Sequence, residues 1–209
     1  MSRFLRYEVH PANPQPRQLL HASAVIRAGG VAALPTAAGY LLACRLDDKA
    51  AAAKLRRLAD LGPRDLPTLL CRDLAQAAVY LRIDDAAFRA IRDSDPGSTS
   101  FLLPCTKRVP RRLLTPRGVA ELYFAGHAAS QGLLRLIDEA LLLSPPAPHG
   151  ATAIDQLPPS WRDGIDLALD AGALPDLDAW APRQTVDRAG RRLNDFDSTA
   201  AHAGLVTIR

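Results

Sequence analysis

Apolar and polar positions switch between two periods along this chain, and the switches mark its elements. Residues 18–28 carry apolar side chains at helical spacing and end at Gly29-Gly30, which predicts an amphipathic helix with a glycine stop. Two apolar runs within 31–46 flank Pro35-Thr36-Ala37-Ala38-Gly39-Tyr40, the pattern of strand, tight turn and strand. Asp47 or Asp48 can cap a helix that runs to residue 61 and stops at Gly62-Pro63. Residues 67–71 read as a short strand. Asp73 then caps a helix to about residue 81, and Asp84 or Asp85 caps another that ends before Pro96-Gly97. Strand character returns at 100–103 and 118–124, and residues 128–143 predict one long helix with apolar positions on several faces. The breaker cluster at 144–150 excludes helix or inner strand. A helix over 161–171, a Pro-rich acidic connection over 172–183 and strands at 184–188 and 205–208 complete the pattern.

Alternating strands and helices over the first 145 residues predict a layered α/β domain. At 209 residues the chain suits a single domain, 1–209, with 1–15 as an extended N-terminal arm and 144–160 as a Pro-rich loop or linker. Aromatic residues make up only 5%, so Leu, Ala, Val and Ile must build the core. No apolar run approaches the ~20 residues that span a bilayer, and the opening residues lack a signal peptide's apolar stretch. A cytoplasmic protein is expected. Cys44, Cys71 and Cys105 are odd in number and far apart, which predicts buried thiols without a disulfide framework. With no C-x-x-C spacing and scattered histidines, no metal site is expected.

Charge changes this picture locally. The net charge is only +4, yet no acid occurs from residue 96 to 120, where Lys107, Arg108, Arg111, Arg112 and Arg117 crowd together. Between residues 155 and 178 six aspartates face one arginine, Arg162. A basic segment on a near-neutral chain suits a polyanion partner, and equally a solvated surface.

P-loop, dinucleotide, nucleophile-elbow and zincin signatures are all absent. His127 and Ser130 read as a surface histidine and a capping serine. Four segments remain as candidates. The first is the Pro35–Tyr40 turn, where Gly39 permits close approach and Thr36 offers a hydroxyl. In the second, Lys54 and Arg57 share a helix face and can reach phosphates together. The third is 67–74, with Arg72 and Asp73 at a strand-to-helix junction. The fourth is 95–114, a glycine turn and hydroxyls leading into the basic cluster, whose arginine forks suit phosphate oxygens.

Together these segments resemble the YrdC/YciO family, and its YciO branch above all. The resemblance is carried by Cys71-Arg72-Asp73-Leu74, by Asp95-Pro96-Gly97 with Ser100-Phe101-Leu102-Leu103, and by Thr106-Lys107 with Val109-Pro110-Arg111-Arg112-Leu113-Leu114. It is strong over 27–114 and returns at 164–172, 184–187 and 206–209. It implies a twisted, mixed α/β sheet with flanking helices around a positively charged cleft. It also implies a reaction in which ATP, L-threonine and bicarbonate give threonylcarbamoyl-adenylate for tRNA modification, usually with Mg2+, and a capacity for double-stranded RNA. On this footing nucleotide or substrate binding is expected at Pro35, Thr36, Gly39, Tyr40, Lys54, Arg57, Thr68 and Ser144. RNA binding is expected at Lys107, Arg108, Arg111 and Arg112.

The chain departs from the family pattern at four places. Ala37-Ala38 replaces an acidic or polar pair, and Arg57 with Ala59 only loosely matches Lys-x-Arg. Tyr123-Phe124-Ala125-Gly126 stands for Arg-x-Pro, and Ser144-Pro145-Pro146 for Ser-x-Asn. One oriented donor is worth roughly 2.7–4 kcal/mol in a transition state, so these losses disfavour catalysis. The expectation is therefore an RNA- or nucleotide-binding protein without full synthase activity. The alternatives are an active synthase and an interaction module with residues 141–143 in its partner surface.

Overall fold

Ala32–Thr36 (β2) and Gly39–Arg45 (β3) pair as an antiparallel hairpin, in register from Thr36↔Gly39 to Ala32↔Ala43. Gly39 makes the turn possible: its φ of +89° lies where an L side chain is strained. Around this hairpin the computed structural model describes residues 4–94, 97, 99–147 and 150–175, together with the strands at 184–186 and 192–193.

The remaining strands are Leu5–Glu8 (β1), Thr68–Cys71 (β4), Thr99–Pro104 (β5), Val119–Phe124 (β6), Leu141–Leu143 (β7), Leu167–Asp170 (β8), Gln184–Val186 (β9) and Arg192–Leu193 (β10). Among the described residues they form one ten-stranded sheet in the order β1-β8-β2-β3-β7-β4-β6-β5-β9-β10. The sheet is mixed: β1–β8, β8–β2, β4–β6 and β5–β9 are parallel and the other pairs antiparallel. Flanking it are helices Pro16–Arg27 (α1), Lys49–Leu58 (α2), Leu74–Tyr80 (α3), Asp85–Arg92 (α4), Ala128–Ile137 (α5) and Pro159–Gly164 (α6). Helix α5 packs on α1 and β2, while α2 packs on β3 and α6. Asp48, Asp73 and Asp84 cap α2, α3 and α4 by accepting from Ala51, Gln76 and Ala87 N–H groups.

Three expectations are corrected. Residues 128–143 are not one helix: α5 stops at Ile137, and Leu141–Leu143 form the central strand β7 between β3 and β4. A strand buried on both faces is apolar throughout, so its period cannot distinguish it from a buried helix. The same confusion hid β8, which occupies the second half of the helix expected over 161–171. Burial in the sheet also removes residues 141–143 from any partner surface. Within the expected N-terminal arm, β1 pairs with β8, and Arg6 pairs with Asp170 at 2.6 Å and Asp155 at 3.2 Å. The strand expected at 205–208 lies outside the described residues.

The sheet coils strongly. Counted through β7 and β4, strands β3 and β6 run in the same direction, yet Gly97 packs against both the tip that precedes β3 and the residues that follow β6. A Cβ built on Gly97 would meet Ala37 Cβ at 2.9 Å and Gly126 backbone at 3.0 Å. The opposite end of β3 meets the 105–118 segment, where Arg112 Nη2 donates to Leu46 O at 2.9 Å. Leu141→Ala, which opens a cavity in a fully buried strand, is expected to cost about 2–5 kcal/mol in denaturant unfolding. A loss below ~0.5 kcal/mol would mean that residue 141 faces solvent.

Candidate ligand end and basic surface

At the hairpin tip the Thr36 hydroxyl is already used. It donates to Gly39 O at 2.7 Å and accepts from Ala38 N–H at 3.0 Å, closing the turn on itself. Tyr40 is equally committed: its hydroxyl donates to Gly172 O at 2.7 Å, accepts from Ala171 N–H at 2.9 Å, and lies 3.3 Å from Asp170 Oδ1. Burial pushes its pKa above the usual phenol range, helped by the Asp170 charge. Pro35 O accepts from the buried Ser130 hydroxyl at 2.6 Å, and Tyr40 N–H donates to Ala151 O at 2.8 Å. The turn is thus clamped by α5 on one side and by the chain around 151 and 170 on the other.

Over the tip lie Gly97, Gly126 and His127. Gly97 has φ +84°, and the Tyr123 hydroxyl donates to its carbonyl at 3.0 Å. Any side chain at residue 97 would collide with Ala37 and Gly126, so this contact depends on glycine. His127, expected at the surface, is half-buried and is the N-cap of α5, its Nδ1 accepting from Ala129 N–H at 3.2 Å. Ser130, expected as the cap, is buried instead.

The other expected substrate residues are dispersed. Ser144 lies across from β3, its Oγ accepting from Leu42 N–H at 2.9 Å and donating to Pro145 O at 2.8 Å. Thr68 is buried mid-sheet and donates to Glu121 Oε2 at 2.7 Å. Lys54 binds Asp166 Oδ2 at 2.7 Å, and Asp166 Oδ2 also accepts from Val31 N–H at 2.8 Å, so Lys54 stands at the hairpin base. From Val31 to Thr36 is about 17 Å of extended chain. Arg57, on the same helix, is exposed. The structure therefore brings Pro35, Thr36, Gly39 and Tyr40 together with Ser144 nearby, places Thr68 opposite Leu143 beside Ser144, and leaves Lys54 and Arg57 apart from them. Arg72 is spent on Asp73 at 2.7 Å and Asp138 at 2.9 Å, and its hydrogen bond holds the Asp73 carboxyl below its usual range. Burial pushes the Cys44 and Cys71 thiols up to about 12, which leaves them unreactive. Among the described residues no group of three His, Cys, Asp or Glu side chains is placed to hold a metal ion.

Lys107, Arg108, Arg111, Arg112 and Arg117 are all exposed, and among the described residues none of them has an ion-pair partner. Their segment is nevertheless firmly held. Val109 and Leu113 are buried, and Thr106 ties it to α3 through N–H to Tyr80 O and Oγ1 to Val79 O, both 2.7 Å. Residues 111–113 form a 3-10 turn, and Arg112 anchors it to Leu46. This anchor is at the hairpin base. Gly39 to Leu46 covers about 23 Å along extended chain, so the basic surface and the hairpin tip are at opposite ends of β3.

A coiled mixed sheet, a glycine-turned hairpin clamped at its tip and a rigid basic segment at its base define an α/β domain of a recognisable class. The model of the Sua5/yciO/yrdC family, described as "Telomere recombination", matches residues 24–177, and the chain belongs to this family. The uncharacterized protein YciO of Escherichia coli strain K12 is 34% identical over 171 residues, covering 81% of this chain and 82% of that protein. A threonylcarbamoyl-AMP synthase of Halorhodospira halophila is 30% identical over 185 residues, covering 87% of this chain and 94% of the enzyme. The crystal structure of E. coli YciO superposes with a TM-score of 0.77 at 32% identity, covering 88% of this chain and 90% of that one. P. abyssi Sua5 complexed with L-threonine shares the fold, with a TM-score of 0.76 at 18% identity over 88% of this chain and 54% of that chain. No helix among the described residues is long and apolar enough to cross a membrane.

Sequence reasoning missed Asp170 and Ser130 as the groups that fix the tip, because each acts across more than 90 residues. Desolvation pushes the His127 pKa below its usual value, and the Ala129 N–H bond requires a neutral Nδ1. The unfolded chain then binds the extra proton, so this contribution to stability is present above the unfolded pKa of about 6.5 and fades as pH falls through the folded value. Imidazole NMR should place the His127 midpoint below the ordinary imidazole value of about 6.5, and His127→Asn should remove its share of the acid destabilisation. A midpoint at or above 6.5 would contradict the neutral cap.

Proposed function

We propose that this family member binds RNA through the exposed cations of its 105–118 segment and lacks full threonylcarbamoyl-AMP synthase activity. The observation that carries the reading is the basic surface: a rigidly held segment with unpaired cations and no acid from residue 96 to 120. Cations that are solvated, unpaired and fixed in place suit phosphates, which accept from several donors and release counterions on contact. Residues 105–118 contain no aromatic side chain, so the segment offers no platform for stacking bases. A duplex read by its backbone and shape fits this better than a single strand.

The tip end supports the second half of the reading. The hydroxyls of Thr36, Tyr40, Thr68 and Ser144 all have partners within the protein. A substrate that displaced one would leave a buried group unpaired, at about 1–3 kcal/mol each. A rival reading, an active synthase, draws on the 30% identity to the Halorhodospira halophila enzyme. It would seat ATP, L-threonine and the Mg2+ that accompanies ATP phosphates at Pro35, Thr36, Gly39, Tyr40 and Ser144. Pyrophosphate release that requires both threonine and bicarbonate would establish the rival; the reading preferred here expects none.

Fluorescence anisotropy with a short RNA duplex tests the binding directly. With about four phosphate contacts, affinity should fall on the order of 10²-fold between roughly 0.05 and 0.2 M salt. The R108E/R111E double variant should abolish binding while keeping the wild-type melting temperature, since neither side chain is buried. Arg112 is a poorer choice because its loss also frees Leu46 O. Salt-insensitive binding, or none, would overturn the proposal.

A further inference from the structure

The basic surface has a second chain segment that its own sequence run does not contain. Residues 80–82 lie antiparallel to 104–106: Leu81 bridges Cys105, Arg82 N–H donates to Pro104 O at 2.8 Å, and Thr106 N–H donates to Tyr80 O at 2.7 Å. Thr106 Oγ1 adds a bond to Val79 O at 2.7 Å. Side chains alternate across such a pairing, so with Leu81 buried at 1% exposure its neighbour Arg82 is turned to solvent. Arg82 is exposed and, among the described residues, has no ion-pair partner.

From these contacts we infer that Arg82 is a phosphate-contacting residue of the same RNA face, which is therefore built from two segments clamped by the Leu81–Cys105 bridge. The inference rests on the RNA-binding reading above. Arg82 is opposite Pro104, and the pairing ends at Thr106, where a turn begins that carries Lys107 and Arg108; Lys107 is three residues from Pro104, at most about 10 Å along the chain. That spacing lets one polyanion meet both cations at once, as phosphates on a single duplex can. The acids nearest Arg82 in sequence are Asp84 and Asp85. Asp84 Oδ1 is turned back to cap α4, accepting from Ala87 N–H at 2.9 Å, and Asp85 lies in the first turn of that helix, where the helix dipole favours it.

Salt titration of RNA-duplex binding separates this claim from the reading it extends. Each phosphate contact contributes about one unit to the slope of log K against log salt. Arg82→Ala should lower the magnitude of the slope by about one, and Arg82→Lys should restore it, because a point charge releases a counterion as well as a fork does. Arg17→Ala, an exposed arginine on α1, should keep the wild-type slope. A wild-type slope in Arg82→Ala, or an equal loss in Arg17→Ala, overturns the inference and leaves RNA binding standing. Failure of the wild-type protein to bind duplex overturns both.

Discussion

The Tyr40 hydroxyl ties together parts of the chain that nothing local would join. It closes onto Gly172 O, Ala171 N–H and Asp170, while Arg6 holds the other carboxylate oxygen of Asp170 from the edge strand β1. Through this one set of polar contacts β1, β8 and the β2–β3 hairpin become a unit, and the hairpin tip is fixed where α5 can reach it. Ser130 completes the clamp at Pro35 O. A buried network of this kind is stable only while every member is paired, which explains why so few tip groups remain free for a ligand.

That clamp has a functional consequence. At the end of the molecule that the family resemblance marks for substrate, the Thr36 hydroxyl is bonded within the turn and Gly97 packs closely against Ala37 and Gly126. Small residues allow this: alanine and glycine bring three loops together where longer polar side chains would hold them apart. The Tyr123 hydroxyl locks Gly97 over the tip. Free, fixed positive charge is found instead at the far end of β3, where the 105–118 segment is anchored to Leu46 and to α3. A single basic cleft is the expectation from the resemblance, and the length of β3 between Gly39 and the Leu46 anchor sets the tip and the basic segment apart.

Local signals were legible. The Pro35–Gly39 turn, the three aspartate caps and the basic segment were all readable from residue type and spacing, because capping and turn geometry are decided within a few residues. The strands Leu141–Leu143 and Leu167–Asp170 carry a helix-like pattern because a strand covered on both faces has no alternation to reveal it. The pairing of β1 with β8, the role of Asp170 and the approach of Arg82 to the basic segment all depend on contacts distant in sequence. Single residues carried no sign of them. Lys54 shows the same limit: its helix face was correct as a pattern, but its ammonium is neutralised by Asp166.

Hydrogen–deuterium exchange with and without an RNA duplex would test most directly whether binding belongs to the hairpin base. Slowed exchange at 105–113 and 79–82, with 34–40 unchanged, is the predicted result. Protection at 34–40 with 105–113 unaffected would contradict the account and return the ligand to the hairpin tip.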